Sequence, residues 1–408
     1  MGPSIEPRNG AEGPLKGLRV VDAGTMIAGP LATTLLADFG ADVIKLEQPG
    51  IGDPMRHWTP VKDDRSLWWK VIARNKRLIT LNLSVPKGQE LLRRLIVNAD
   101  ILVENYRPGT FERWGLGYDV LSAINPRLVF VRVSGYGQSG PYRHRGGYGT
   151  IAEAFSGVPS FTGFPDKPPT LPGFPMADSV AATFSAMAAI FAVYNRDHHE
   201  PHHGQEIDVS LYEPLFRLAE AQVIGFDQMG LVKQRRGNRM EEDSPRNTYQ
   251  TRDETWIAIS ASSQKTFERL VHAMGRDDLA TDQRFTDNVR RVANADVLDK
   301  IMADWFATQE SSEVLALFDR ENVVAGLIHD IRDIFKDPHY AARGNIVEVE
   351  DRDFGIVRMQ GVVPRVLGTP GKVRHAGGQI GQDNSAVYLG DLGVDADEFA
   401  RLQADRVI

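Results

Sequence analysis

Short apolar runs rich in β-branched residues alternate with helical segments through the first third of the chain. Leu18–Ala23 (LRVVDA) predicts a buried strand. The loop GTMIAGP follows it, then a helix from about Leu31 to Phe39 ended by Gly40, then a strand over Ala41–Glu47. Strand, glycine-containing loop, helix and strand over about 30 residues make a βαβ unit. The pattern continues with a strand at Leu78–Leu83, a helix at Lys87–Ala99 and a strand at Ile101–Asn105. Short helices near Phe111 and Tyr118 precede a strand at Leu128–Val133. Such alternation predicts an α/β fold whose mostly parallel sheet is covered on both faces. Ligands of these sheets sit beyond the carboxyl ends of the strands. Here those ends carry GTMIAGP, EQPGIGDP, ENYRPGTFERWG and SGYGQSGPYRHRGGYG.

Gly24 and Gly29 do not make the G-x-G-x-x-G of a dinucleotide site, and no glycine-rich loop ends in Gly-Lys-Ser or Gly-Lys-Thr. Basic residues nevertheless gather near the strand ends: Arg74, Lys76 and Arg77, then Arg107 and Arg113, then Arg143 and Arg145. Singly, each reads as solvated surface charge. Together they suit a polyanionic ligand such as a phosphorylated cofactor.

Ile151–Pro175 is rich in Gly, Pro and Phe and predicts a connection with little regular structure, a type that often serves active sites. The stretch from Pro175 to Glu213 comes next. It holds a long apolar helix over Asp178–Tyr194, a histidine-rich turn and a strand-like run, Gln205–Leu211. The helix has apolar or small residues on nearly every face, which predicts burial. Asp178 is the only acid between Asp166 and Asp197. Its bland role is a helix cap; its other role is chemistry. His198, His199, His202 and His203 flank Pro201, which breaks the helical spacing a metal site would need. No metal is expected.

Beyond Arg217 the pattern changes. Leu231–Arg246 reads as charged and irregular. A strand at Trp256–Ser260 and helices near Lys265–Met274, Asp296–Thr308 and Glu313–Asn322 predict a smaller mixed domain. Asn345–Glu350 and Gly355–Gln360 predict a hairpin, and Ala396–Ala404 a last helix. The expected organisation is a large Rossmann-like domain over residues 1–220, completed by 335–408, with a small domain at 221–334.

The chain has 408 residues, of which 25% are charged, with a formal charge of -7. That balance argues against nucleic acid as the main partner. With no cysteine, disulfides and thiolate chemistry are excluded. No stretch of about 18 apolar residues runs without polar interruption. The opening MGPSIEPRNGAEGPLKG lacks a signal-type apolar core. A cytoplasmic protein with no membrane partner is expected.

Several separated stretches, in order, resemble the class III CoA-transferases, the formyl-CoA transferase and carnitine CoA-transferase family. They are PLKGLRVVDAGTMIAGPLATTLLADFGADVIKLEQPGIGDPMR, NKRLITLNL, ADILVENYRPGTFERWGLGYDVLSAINPRLVFVRVSGYGQSGPY, and MADSVAATFSAMAAIFAVYNR with GQEIDVSLYE. The resemblance implies an interlocked homodimer and a coenzyme A thioester as substrate, with no tightly bound cofactor. It implies that Asp178 is the nucleophile. It also implies a CoA site of Met26, Ile27, Gln48, Ala73, Arg74, Asn75, Lys76, Asn105, Tyr106, Arg113, Arg145, Gly146, Gly147 and Tyr148.

Two departures stand out. Ile27 replaces the glutamine of formyl-CoA transferases, and Gly149 replaces an acid. The glycine-rich lid of those enzymes is also absent, with Ser260–Gln264 (SASSQ) at the corresponding place. A substrate pair other than formate and oxalate is implied.

The expected chemistry moves CoA from an acyl-CoA, with succinyl-CoA one candidate, to an acceptor carboxylic acid through an aspartyl-CoA thioester on Asp178. Backbone N–H groups at the helix start would keep Asp178 ionised and stabilise an oxyanion. Arg and His in RHRGG would suit a second carboxylate on the substrate. The rival within the superfamily is an α-methylacyl-CoA racemase, which needs a histidine base where this chain has Tyr148. A second rival is a CoA-binding subunit of a hetero-oligomer.

Overall fold

The computed structural model describes residues 12–408. Its centre is a six-stranded, all-parallel sheet. The strands are β1 (Arg19–Asp22), β2 (Asp42–Glu47), β3 (Arg77–Thr80), β4 (Ile101–Glu104), β5 (Val129–Ser134) and β6 (Glu206–Ser210). Their spatial order is β3-β2-β1-β4-β5-β6, the doubly wound order whose direction reverses between β1 and β4.

Burial on both faces explains the apolar runs. Every residue of β4 and β5 is buried, and each fully buried Val, Leu or Phe contributes roughly 1.5–3 kcal/mol. One face packs against the Pro86–Ile96 helix and the C-terminal segment through Leu91, Leu95, Phe111, Tyr388 and Leu402. The other packs against the Ala28–Asp38 and Met176–His198 helices through Ala28, Leu36, Ala177, Ala181 and Ala189. Alanine at these positions lets the two helices approach closely.

The outer edge of β3 is closed by the C-terminal segment. Leu78 N–H donates to Asp383 Oδ2 at 2.7 Å, and Asp383 N–H donates to Leu78 O at 2.9 Å. Thr80 N–H donates to Asn384 Oδ1 at 2.8 Å. An otherwise open strand edge is thereby satisfied.

The chain forms two compact units. The larger comprises the chain up to Val158, Leu171–Ile224 and Tyr340–Ile408. The smaller comprises Pro159–Thr170 and Gly225–His339. In the smaller unit an antiparallel sheet of Arg246–Gln250, Trp256–Ser260 and Ala325–Leu327 packs on helices through Phe267, Phe285, Phe306 and Phe318. The SASSQ stretch runs from the end of the Trp256–Ser260 strand to the start of the Gln264–Ala273 helix. Ser263 caps the Gln264–Ala273 helix, and the fully buried Arg291 donates to Ser262 O at 2.6 Å and Gln264 Oε1 at 2.7 Å.

Three sequence expectations change. The stretch after Ile151 is not without regular structure: Gly149–Phe155 is a helix, because IAEAF carries good helix formers despite the surrounding Gly and Pro. The apolar helix is longer than expected, Met176–His198, so Asp178 lies inside its first turn rather than at its start. That helix is also long and apolar enough to cross a membrane by length and composition, with a mean hydropathy of 1.6. Asp178, Ser179, Thr183 and Ser185 interrupt its apolar run, and Asn195–His198 close it, too sparsely to lower the mean. A core helix meets the same test, and Ala177, Ala181, Ala182, Ser185, Ala189 and Ala192 of this one are buried.

Candidate active site

Asp178 is half-buried in the first turn of the Met176–His198 helix. The helix has Pro175 at its N-cap position and no side-chain cap of its own. The cap comes from another element. Glu153, on the Gly149–Phe155 helix, accepts from Met176 N–H at 3.1 Å and Ala177 N–H at 3.3 Å through Oε1. Gly149, one turn earlier on the same helix, faces the Asp178 carboxylate. A β-carbon at 149 would overlap Asp178 Oδ2.

These contacts revise the expected electrostatics. Glu153 engages the Met176 and Ala177 N–H groups, which leaves Asp178's own backbone N–H as the helix donor that lowers its pKa. Burial, and then the Glu153 carboxylate, push Asp178 up to about 6. It remains mostly ionised at neutral pH. The same two N–H groups are not free to hold an oxyanion.

The loop after β1 and the turn after β4 meet at the switch point of the sheet. Thr25 N–H donates to Asn105 Oδ1 at 2.7 Å, and Asn105 Nδ2 donates back to Thr25 O at 2.8 Å. This pair fixes the loop carrying Met26 and Ile27. Met26 has a left-handed backbone, φ 63°, and its N–H donates to Asp53 Oδ1 at 3.2 Å. Ile27 is buried against Met55, Trp69 and Ile72. Tyr106 packs on Phe111 and Trp114, and its N–H donates to Glu104 Oε2 at 2.6 Å.

Ala73–Lys76 lies inside the chain. Arg74 makes a two-point pair with Asp38, at 3.0 and 2.5 Å. Asn75 donates to Asp38 Oδ1 and Lys372 O and accepts from Arg374 N–H. Lys76 reaches Asp22 Oδ2 at 2.9 Å and Pro30 O at 2.6 Å. Burial, together with nearby Lys45, pulls Lys76 down to about 8, although Asp22 opposes the shift. Arg77 pairs with Asp42 and Asp391. Three cations that read in sequence as part of a polyanion site are thus partnered within the chain. Burial strips these cations of water, and the paired carboxylates offset that desolvation cost through Coulomb attraction and hydrogen bonds.

Of the basic residues near the strand ends, Arg107, Arg113, Arg143 and Arg145 are exposed. Arg107 reaches Gly146, where a β-carbon would lie 3.3 Å from its guanidinium. Arg113 donates to Thr110 Oγ1 at 3.0 Å. Arg145 covers the Tyr142 ring at 3.7 Å. Gly147 passes so near Gly135, at the end of β5, that a β-carbon on either would lie 2.7 Å from the other's Cα. This approach brings Arg145–Tyr148 back over the strand end. Tyr148 is exposed, as is Gln48 beyond β2.

Beneath the site, Arg132 of β5 binds three acids: Glu104 at 2.8 Å, Glu112 at 2.6 Å and Glu206 at 3.0 Å. Burial pushes Glu104 up to about 7 despite Arg132. The histidine turn lies at the far end of the long helix, where His198 stacks on Tyr194 at 4.2 Å. Among the described residues no group of three or more His, Asp or Glu is arranged for a metal.

The sequence reading missed Glu153 as Asp178's neighbour. No local signal pointed to it, because the short helix that sets Glu153 one turn from Gly149 is masked by the surrounding Gly, Pro and Phe.

The profile described as "CoA-transferase family III" matches residues 15–384. Succinyl-CoA–D-citramalate CoA-transferase of Chloroflexus aurantiacus is 43% identical, over 97% of this chain and 98% of that protein. The beta subunit of succinyl-CoA–L-malate CoA-transferase from the same organism is 40% identical, with coverages of 97% and 98%. The crystal structure of a CAIB/BAIF family protein from Brucella suis matches with a TM-score of 0.83 and 30% identity, over 93% of this chain and 100% of that one. The ordered motifs, the doubly wound sheet and these full-length matches together place the chain in CoA-transferase family III, and it is a CoA-transferase.

Proposed function

We propose that this enzyme moves coenzyme A from succinyl-CoA to an acceptor carboxylic acid, a dicarboxylate fitting best, through an aspartyl-CoA thioester on Asp178. The observation that carries the reading is the Asp178 carboxylate lodged against Gly149, half-buried at the head of a core helix. An anion held there, with no cation among the described residues bearing on it, is poised to attack a thioester carbonyl. The named relatives act from succinyl-CoA on hydroxy-dicarboxylic acids, which supports the donor and the acceptor class.

Coenzyme A would lie along the strand ends. Met26, Ile27 and the Asn105–Tyr106 turn would line it, with Gln48 and Arg113 at its outer parts and Arg145–Tyr148 over the reacting end. Ala73–Lys76 would contribute backbone and shape, because the Arg74, Asn75 and Lys76 side chains are engaged inside the chain. Exposed Arg143 or Arg145 would pair the distal carboxylate of a succinyl group. The large and small units would correspond to a CoA-binding domain and a second domain. A homodimer, interlocked as in the family, would cover the stripe of Met187, Phe191 and Tyr194 on the long helix, exposed by 43%, 63% and 60%. The enzyme would work in the cytoplasm.

Mass spectrometry of the enzyme mixed with succinyl-CoA alone tests the reading. A CoA-sized adduct on the Asp178 peptide, absent in Asp178→Asn, is the expected result. Exchange of a substrate α-hydrogen with solvent, without that adduct, would point instead to a racemase.

A further inference from the structure

We propose that Glu153 is a positioning residue for CoA transfer: seated on the first N–H groups of the Met176–His198 helix, it holds a fixed negative charge beside Asp178 and favours the acylated over the free nucleophile. The inference rests on the reading of Asp178 as the nucleophile.

Gly149 and Glu153 stand one turn apart on one face of a short helix. Gly149 makes room for the Asp178 carboxylate, while Glu153 binds Met176 N–H and Ala177 N–H. A serine or aspartate at the N-cap would normally do this locally. Here the N-cap is Pro175, which has no acceptor side chain. Glu153 is only 4% exposed, and those two N–H groups at the positive end of the helix, rather than water, are its partners. The outcome is two carboxylates at one helix end. Among the described residues Glu153 is the charged group bearing on Asp178, and no Lys, Arg or His offsets it. Gly149, Ala152, Ala28 and Ala181 supply uncharged packing around that turn.

The charge matters because it changes during the reaction. An Asp178 oxygen bonds to the thioester carbonyl carbon, the C–S bond breaks, and the electron pair leaves on the CoA sulfur. The thiolate then bonds to Asp178 Cγ, the anhydride C–O bond breaks, and the donor acid departs as its carboxylate. The aspartyl side chain is neutral in both acyl forms. Repulsion from Glu153 acts on the free carboxylate and disappears once it is acylated. It also makes the carboxylate more basic, hence a stronger nucleophile.

Glu153→Gln keeps an oxygen for the two N–H groups and removes the charge, whereas Glu153→Ala removes both. The expected result for Glu153→Gln is an acid limb of kcat/KM that moves to lower pH. CoA-adduct occupancy at a fixed succinyl-CoA concentration should fall by roughly threefold or more. Glu153→Ala should show the same shift and melt lower as well. A folded Glu153→Gln with unchanged limb and occupancy would reduce Glu153 to a cap and overturn the proposal. A wild-type acid limb in the ordinary aspartate range, near 4, would overturn it without any variant. Asp178→Asn separates the two ideas. If it still transfers CoA, the nucleophile reading fails. If it is inactive while Glu153→Gln behaves as wild type, only the present inference fails.

Discussion

The Asp178 carboxylate rests on the bare α-carbon of Gly149, at a place a side chain would fill. The backbone at 149 is helical, so alanine would be accepted there on conformational grounds. Gly149→Ala therefore isolates the collision. It should displace the carboxylate and lower kcat by about 100-fold, the usual result of a misplacement near 1 Å. A kcat within twofold of wild type would show that Asp178 works from another position.

Asp178→Asn should be inactive yet melt higher at pH 8. Folding raises the Asp178 pKa from 3.8 to about 6, so the native state binds the proton more tightly than the unfolded chain. Stability linked to this group is present below the unfolded value and is lost as pH rises through the folded one. At pH 8 the ionised side chain costs about 3 kcal/mol at most, which asparagine avoids. Calorimetry at pH 8 and pH 4 checks this. The advantage of Asp178→Asn should shrink toward zero at the lower pH.

Arg132 neutralises the acids beneath the site. Arg132→Met should destabilise the large unit by about 3 kcal/mol or more, because Glu104 is left buried without its cation. Adding Glu104→Gln should recover much of that loss, measured by denaturant titration. A double variant as unstable as the single one would mean that Arg132 acts through packing rather than charge.

Asn105 locks the loop after β1 with two hydrogen bonds. Asn105→Ala should raise KM for acyl-CoA about tenfold, with a smaller change in kcat, since the loop would be ordered at the expense of binding. Steady-state kinetics with a varied donor would reveal it. An unchanged KM would remove this loop from the CoA site.

Much of the fold was legible because it depends on local periodicity. Apolar β-branched runs marked five of the six parallel strands to within two or three residues, and GQEIDVSL marked the sixth. The Gly149–Phe155 helix was not legible, because Gly, Pro and Phe around it masked a short helical run. The strand at Arg246–Gln250 was also hidden, since RNTYQ lacks an apolar alternation.

The sequence by itself determined where a ligand could lie and which carboxylate stood out, since strand ends and Asp178 follow from order along the chain. The tertiary structure decided what surrounds that carboxylate. Asp178 began as a helix-cap candidate; Glu153, 25 positions earlier, is the cap instead, and Gly149 is the floor. It also turned Arg74, Lys76 and Arg77 inward, onto Asp38, Asp22 and Asp42. The physical reason is the same in each case. Secondary structure is set by near neighbours, while the energy of a charge is set by whatever groups the fold brings within a few ångströms of it.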